Sequence, residues 1–233
     1  MSGLLNVRGL CSVACVLLGT LVSTAHAAII NDGPNHYMID PVSATVSAGL
    51  SPKIASQLVD QSGLSSGYTN GTLAEEYKAL SPTHNSAVNS NLYFTDFGDP
   101  STGSIDFDLG GTFRDVDGFV LWSYGLGDGS QIDGFTLIAD DDGDFSSGST
   151  VIGDFNNPLG MGPLATVGGE GFEFAAVEAS FIRMVITSNH GSVGNIFSEM
   201  AFVRATPEPS SFAMLGIAGV FGIGVHRRRR RKQ

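Results

Sequence analysis

Hydrophobic and polar positions divide this chain into three regimes. Leu10–Val22 and Phe212–Val225 are apolar runs without a charge, while much of the sequence between them alternates. Ile105-Asp106-Phe107-Asp108-Leu109 has a strict period of two, which marks a strand with one face buried. Gly110-Gly111 reads as a turn, and Val116–Tyr124 as the most apolar strand, carrying the single tryptophan, Trp122. Ile132–Ala139 is the next strand, Asp140–Asp144 a tight turn, and Val151–Phe155 the returning strand. Asn156–Gly171 reads as a long loop, followed by a short strand at Phe172–Phe174. Phe181–Thr187 and Ile196–Arg204 close the domain around a turn at Ser188–Gly191. Ahead of this region, Tyr37–Val46 predicts a strand interrupted by Pro41 and therefore at an edge. Ala48–Tyr68 is loop-like, Thr72–Leu80 predicts a helix stopped before Pro82, and Ser81–Asn91 is a polar insertion. Seven or eight strands with almost no helical period predict an all-β sandwich.

The flanking runs give the domain plan. Leu10–Val22, preceded by Arg8 and followed by Ala25-His26-Ala27, predicts a signal peptide over 1–27, cut after Ala27 with Ala25 and Ala27 as the small residues of the site. Signal peptidase and the export machinery are the implied partners. Cys11 and Cys15 both lie in that leader, so the exported chain is expected to have no disulfide. The sandwich domain is assigned to 28–205. Within it five Lys and Arg face 22 of the chain's 23 acids, a surface that repels nucleic acid and anionic lipid. Neutral glycans and divalent cations suit such a surface, as does plain solvation.

The last segment, 206–233, has three parts: Pro207-Glu208-Pro209, the apolar run 212–225, and a basic tail over 226–233 containing Arg227–Arg231 and Lys232. Fourteen residues of helix span roughly 21 Å at about 1.5 Å each, against roughly 30 Å of bilayer hydrocarbon. A marginal transmembrane span with a strong stop signal suits a temporary tether, and six cations hold the C-terminus inside. These residues resemble the PEP-CTERM sorting signal. That resemblance implies recognition of Pro207, Glu208 and Pro209 by an exosortase, a membrane cysteine transpeptidase that cuts near the motif.

A second resemblance spans 103–204. Ser104–Leu109 before Gly110, Val116–Trp122, Phe135–Ala139 with Asp142-Gly143, Phe181-Ile182-Arg183 and Ser198–Phe202 occur in the order of the discoidin-like, galactose-binding-like jelly-roll family. Ala139 stands where that family usually has serine, and Asp60 with Gly67-Tyr68 is what remains of its early motif, without the tryptophan. The resemblance implies a jelly-roll β-sandwich that acts as an accessory module. It also implies a structural Ca²⁺ between an early loop and a glutamate on the last strand, at positions matched here by Asp60 and Glu199. The bland alternative pairs Glu199 with Arg183 or uses it to cap a turn.

Other chemistry is sparse. Asp140, Asp141, Asp142 and Asp144 lack the full spacing of a calcium loop, with no glutamate at the closing position, and read as a hairpin turn. Tyr68, Tyr77, Tyr93 and Tyr124 are the aromatic candidates for stacking on sugar, whereas Trp122 reads as core. His36, His84 and His190 read as loop or turn residues, and no hydrolase motif accompanies them. The expectation is an exported, non-catalytic surface or matrix protein associating with exopolysaccharide. The alternatives are a matrix component without a ligand and a secreted polysaccharide hydrolase built on scattered carboxylates.

Overall fold

A computed structural model describes residues 35–48, 55–85, 93–94, 103–123, 129–157, 166–191 and 194–205. The leader, Ala25 and Ala27, and the entire tail with Pro207–Pro209 lie outside the described residues. Among the described residues there are nine strands. These are β1 (His36–Ile39), β2 (Ser43–Ala48), β3 (Thr83–Asn85), β4 (Tyr93–Phe94), β5 (Gly103–Ser123), β6 (Gly134–Asp140), β7 (Thr150–Asn156), β8 (Thr166–Ile186) and β9 (Ile196–Ala205). A 3₁₀ turn at Ala55–Leu58 and one short helix, α1 (Ala74–Ala79), lie between β2 and β3.

Every strand pairing is antiparallel, in the order β1-β9-β5-β8-β6-β7, with β2 on β5, β3 on β8 and β4 on β9. β5 and β8 are each 21 residues long and run through both layers of a sandwich. Near Gly103–Asp108, β5 lies between β2 and the end of β8; near Val116–Ser123 it lies between β9 and the start of β8. The register slips at Asp108/Phe113, Phe113/Val116 and Val116/Gly118 bend the strand between layers. Gly110 (φ 76°) sits in that bend. The expected turn at Gly110-Gly111 is therefore a kink within one strand. β8 likewise starts at Thr166, inside the expected loop, and joins the two strands expected at Phe172 and Phe181.

The alternation in the sequence fills the space between layers. Ile105, Phe107, Phe119, Leu121, Leu137, Ile182, Met200 and Phe202 form one buried cluster. Phe107 meets Phe202 edge to face at 5.5 Å, and Phe119 meets Phe135 at 5.8 Å. Arg183 on β8 grips Asp106 on β5 with Nε–Oδ1 2.7 Å and Nη2–Oδ2 2.8 Å. Arg183 is thus committed to Asp106, not to Glu199.

The run Val116–Trp122 is buried on both faces because the second layer is covered outside as well. Val120, Trp122, Ala201 and Val203 point into a smaller cluster with Met38, Tyr68, Ala74 and Tyr77. Tyr77 packs edge-on against Trp122 at 6.3 Å and against Tyr68 at 5.2 Å. Trp122 donates Nε1–H to the Pro82 carbonyl at 3.3 Å. The segment 61–85, with α1, is the cap that closes this face.

Candidate functional site

The cap meets the sandwich at Glu199. This residue lies on β9 opposite Trp122, beside the register slip between Trp122 and Ser123. Its side chain is fully buried. Glu199 Oε1 accepts the Gln61 backbone N–H at 3.2 Å, whereas Oε2 is buried with no hydrogen-bond partner. Burial chiefly, then the charges of Asp60 and Asp40, push the carboxyl up to about 9 against the opposing Gln61 N–H. In the ion-free protein Glu199 carries its proton at neutral pH.

The loop over Glu199 is held in place by its own polar groups. Gln61, with φ 58°, pairs its side-chain amide with the Tyr68 backbone in both directions: Nε2 donates to the Tyr68 carbonyl at 3.0 Å, and Tyr68 N–H donates to Oε1 at 2.8 Å. A Cβ on Gly67 would come within 2.9 Å of Gln61 Oε1, so this clamp requires glycine there. Asp60 Oδ1 accepts the Ser62 N–H at 2.8 Å, a local turn that leaves Asp60 beside the loop. Tyr77 O–H donates to the Ser66 carbonyl at 2.9 Å. His84 Nε2 lies 2.9 Å from the Ser62 carbonyl, and burial lowers the affinity of its ring for a proton.

Asp60 and Glu199, far apart in sequence, are thus neighbours across the cap, because the Gln61 backbone touches one and follows the other. The sequence reading missed Asp40, at the end of β1. Its carboxyl is raised by burial against a Gln61 hydrogen bond, and its charge reaches Glu199 and Tyr68. The available signal was topological: β1 pairs β9, so the residue after Ile39 emerges beside the last strand. Ser62 Oγ, Tyr68 O–H and His84 Nδ1 are, like Glu199 Oε2, buried without a hydrogen-bond partner. A buried carboxylate oxygen with no donor, flanked by two further carboxylates, fits the oxygen set that a hard cation takes.

Other expected site residues fall elsewhere. Tyr68 and Tyr77 are 5% and 1% exposed and belong to the core under the cap, so they offer no face for stacking on sugar. Tyr93 and Tyr124 fall outside the described side chains. His36 lies on β1 and meets Asp117 at 2.8 Å, and His84 lies on β3; both were expected in loops. Trp122 is core, as expected.

An antiparallel β-sandwich is what these strands build. Solved structures of similar fold include a truncated AlyQ with CBM32 and alginate lyase domains, at 20% identity and TM-score 0.49, covering 74% of this chain and 34% of that one. The chain therefore spans about a third of the length of that protein. The family 32 CBM from C. perfringens NanJ in complex with galactose matches at 16% identity and TM-score 0.46, covering 72% and 99%. The C-terminal domain of a chitobiase from Bacteroides fragilis matches at 16% identity and TM-score 0.44, covering 75% and 96%. No curated protein matches in sequence. Residues 205–231 match the family described as PEP-CTERM protein-sorting motif. The chain is one that carries an export-linked sorting signal for the cell envelope. Among the described residues, no helix is long and apolar enough to cross a membrane.

Proposed function

We propose that this chain is an exported, non-catalytic protein of the cell surface or extracellular matrix, handed to an exosortase by its tail and associating with exopolysaccharide through its sandwich. The sorting motif at 205–231 carries the proposal. A protein so addressed works where the polysaccharide is. The glycan half rests on the discoidin-like motifs of 103–204 and on an acidic surface suited to neutral sugars.

Calcium belongs to the same proposal. Glu199 and Asp60 would hold the ion, with Asp40 adding charge, and the ion would tie the cap loop to β9. Its chemistry is charge neutralisation: a bound cation ionises Glu199 and satisfies Oε2. It would serve the structure and take no part in a reaction.

Calorimetry of the protein with calcium, followed by a panel of polysaccharides, tests this function. The proposal expects a glycan that binds and is not turned over. Absence of any binder favours a matrix component without a ligand, and turnover that is lost on changing a pair of carboxylates shows a hydrolase.

A further inference from the structure

A second acidic group lies in the turn between β6 and β7. Asp140 closes β6, and Asp142 and Asp144 follow at alternate positions. One carboxylate oxygen of each lies within 4.8 Å of the others. The residues expected to form a tight hairpin turn instead belong to a longer connection, with Ala139 paired to Thr150.

Asp140 is 3% exposed. Its Oδ2 accepts the backbone N–H groups of Gly143 at 2.9 Å and Phe145 at 3.0 Å. Its Oδ1 is buried and has no hydrogen-bond partner. Asp140 thus carries an unsatisfied buried oxygen within a group of three carboxylates whose nearest oxygens lie within 4.8 Å of one another, an arrangement that calls for a proton or a cation among them. The neighbouring cation, Arg183, is already bound twice to Asp106, and its guanidinium lies 4.1 Å from the Phe145 ring centre. A depression of about 280 Å³ borders Asp140, Asp141 and Thr150.

We propose that Asp140, Asp142 and Asp144 form a calcium site in the β6–β7 turn, separate from Glu199. An unsatisfied buried carboxylate oxygen costs free energy that a hard cation removes, and calcium accepts such flexible oxygen sets. The three aspartates occupy the first, third and fifth positions of an oxygen-donor loop, and Phe145 at the sixth has φ 53°, where such loops turn sharply. The twelfth position is Val151, so the closing bidentate glutamate is missing. Affinity therefore falls in the weak range of extracellular modules, roughly 10⁻⁴–10⁻³ M.

The test titrates calcium chloride into the full chain by calorimetry, with Glu199→Gln removing the other proposed site. The Glu199→Gln protein is expected to bind one calcium ion at roughly 10⁻⁴–10⁻³ M. Adding Asp142→Asn and Asp144→Asn, both at exposed positions, is expected to abolish that event. Calcium-induced shifts in the amide NMR spectrum are expected at Gly143 and Phe145. A folded Glu199→Gln protein that binds no calcium, or a titration unchanged by the two aspartate substitutions, overturns the proposal. Should Glu199→Gln fail to fold, equilibrium dialysis of the Asp142→Asn/Asp144→Asn chain decides: one calcium fewer than wild type supports the site, and equal stoichiometry overturns it.

Discussion

The backbone N–H of Gln61 reaches 3.2 Å across the cap to the buried carboxyl of Glu199, joining residues 138 positions apart. That single contact leaves the second Glu199 oxygen unsatisfied, and several outcomes depend on how the protein settles it.

Calcium is expected to raise the thermal midpoint, and Glu199→Gln to remove that part of the rise that comes from this site. At a hundredfold excess over the dissociation constant, one ion contributes about 2.7 kcal/mol. Differential scanning calorimetry with calcium or with EDTA, on wild type and Glu199→Gln, measures the difference directly.

Proton binding sets the sign of the pH dependence without metal. Glu199 titrates near 9 when folded and near 4.5 ordinarily, so between those values the folded chain holds a proton that the unfolded chain has released. Its stabilising contribution is complete below about pH 4.5 and drains as pH rises towards about 9. Urea denaturation in EDTA from pH 5 to 9 should show wild type losing stability relative to Glu199→Gln. Calcium should flatten the wild-type slope, because a metal-bound carboxylate is ionised throughout.

Gly67→Ala places a Cβ within 2.9 Å of Gln61 Oε1 and opens the amide clamp on Tyr68. Two hydrogen bonds at about 1 kcal/mol each suggest a loss of ~1–2 kcal/mol. The Glu199-dependent calcium response should weaken with it, read as a smaller midpoint shift.

Trp122→Ala empties the centre of the cluster beneath the cap, where Trp122 is fully buried. A loss of ~3–5 kcal/mol is expected from chemical denaturation. Asp106→Asn breaks a two-point contact to Arg183 and is expected to cost ~1–3 kcal/mol. Charge-assisted pairing predicts partial recovery in Asp106→Asn/Arg183→Gln, and a double-mutant cycle resolves the coupling.

Strand identity was legible because burial wrote it plainly. Ile105–Leu109 alternates as a half-buried strand must, and the apolar run Phe119–Trp122 reflects a layer covered on both sides. Strand continuity was not legible. Gly110-Gly111 has the composition of a turn, yet β5 bends there and keeps its partners, since register slips absorb the extra residues. The cap was also hidden: Tyr68 and Tyr77 resemble exposed sugar platforms until α1 folds them onto Trp122, a contact no local pattern encodes. Within the candidate site, Asp60 and Glu199 came from motif order alone. Asp40 needed the pairing of β1 with β9, and Asp140–Asp144 needed the folded turn to show its oxygens converging.

Export followed by tail processing is the claim on which the proposed function stands, and intact mass spectrometry of the product from a host that makes an exosortase tests it most directly. The expected mass is that of a chain beginning at Ala28 and lacking Arg227–Lys232. A full-length tail, arginines included, on protein recovered from purified envelopes of that host would contradict it.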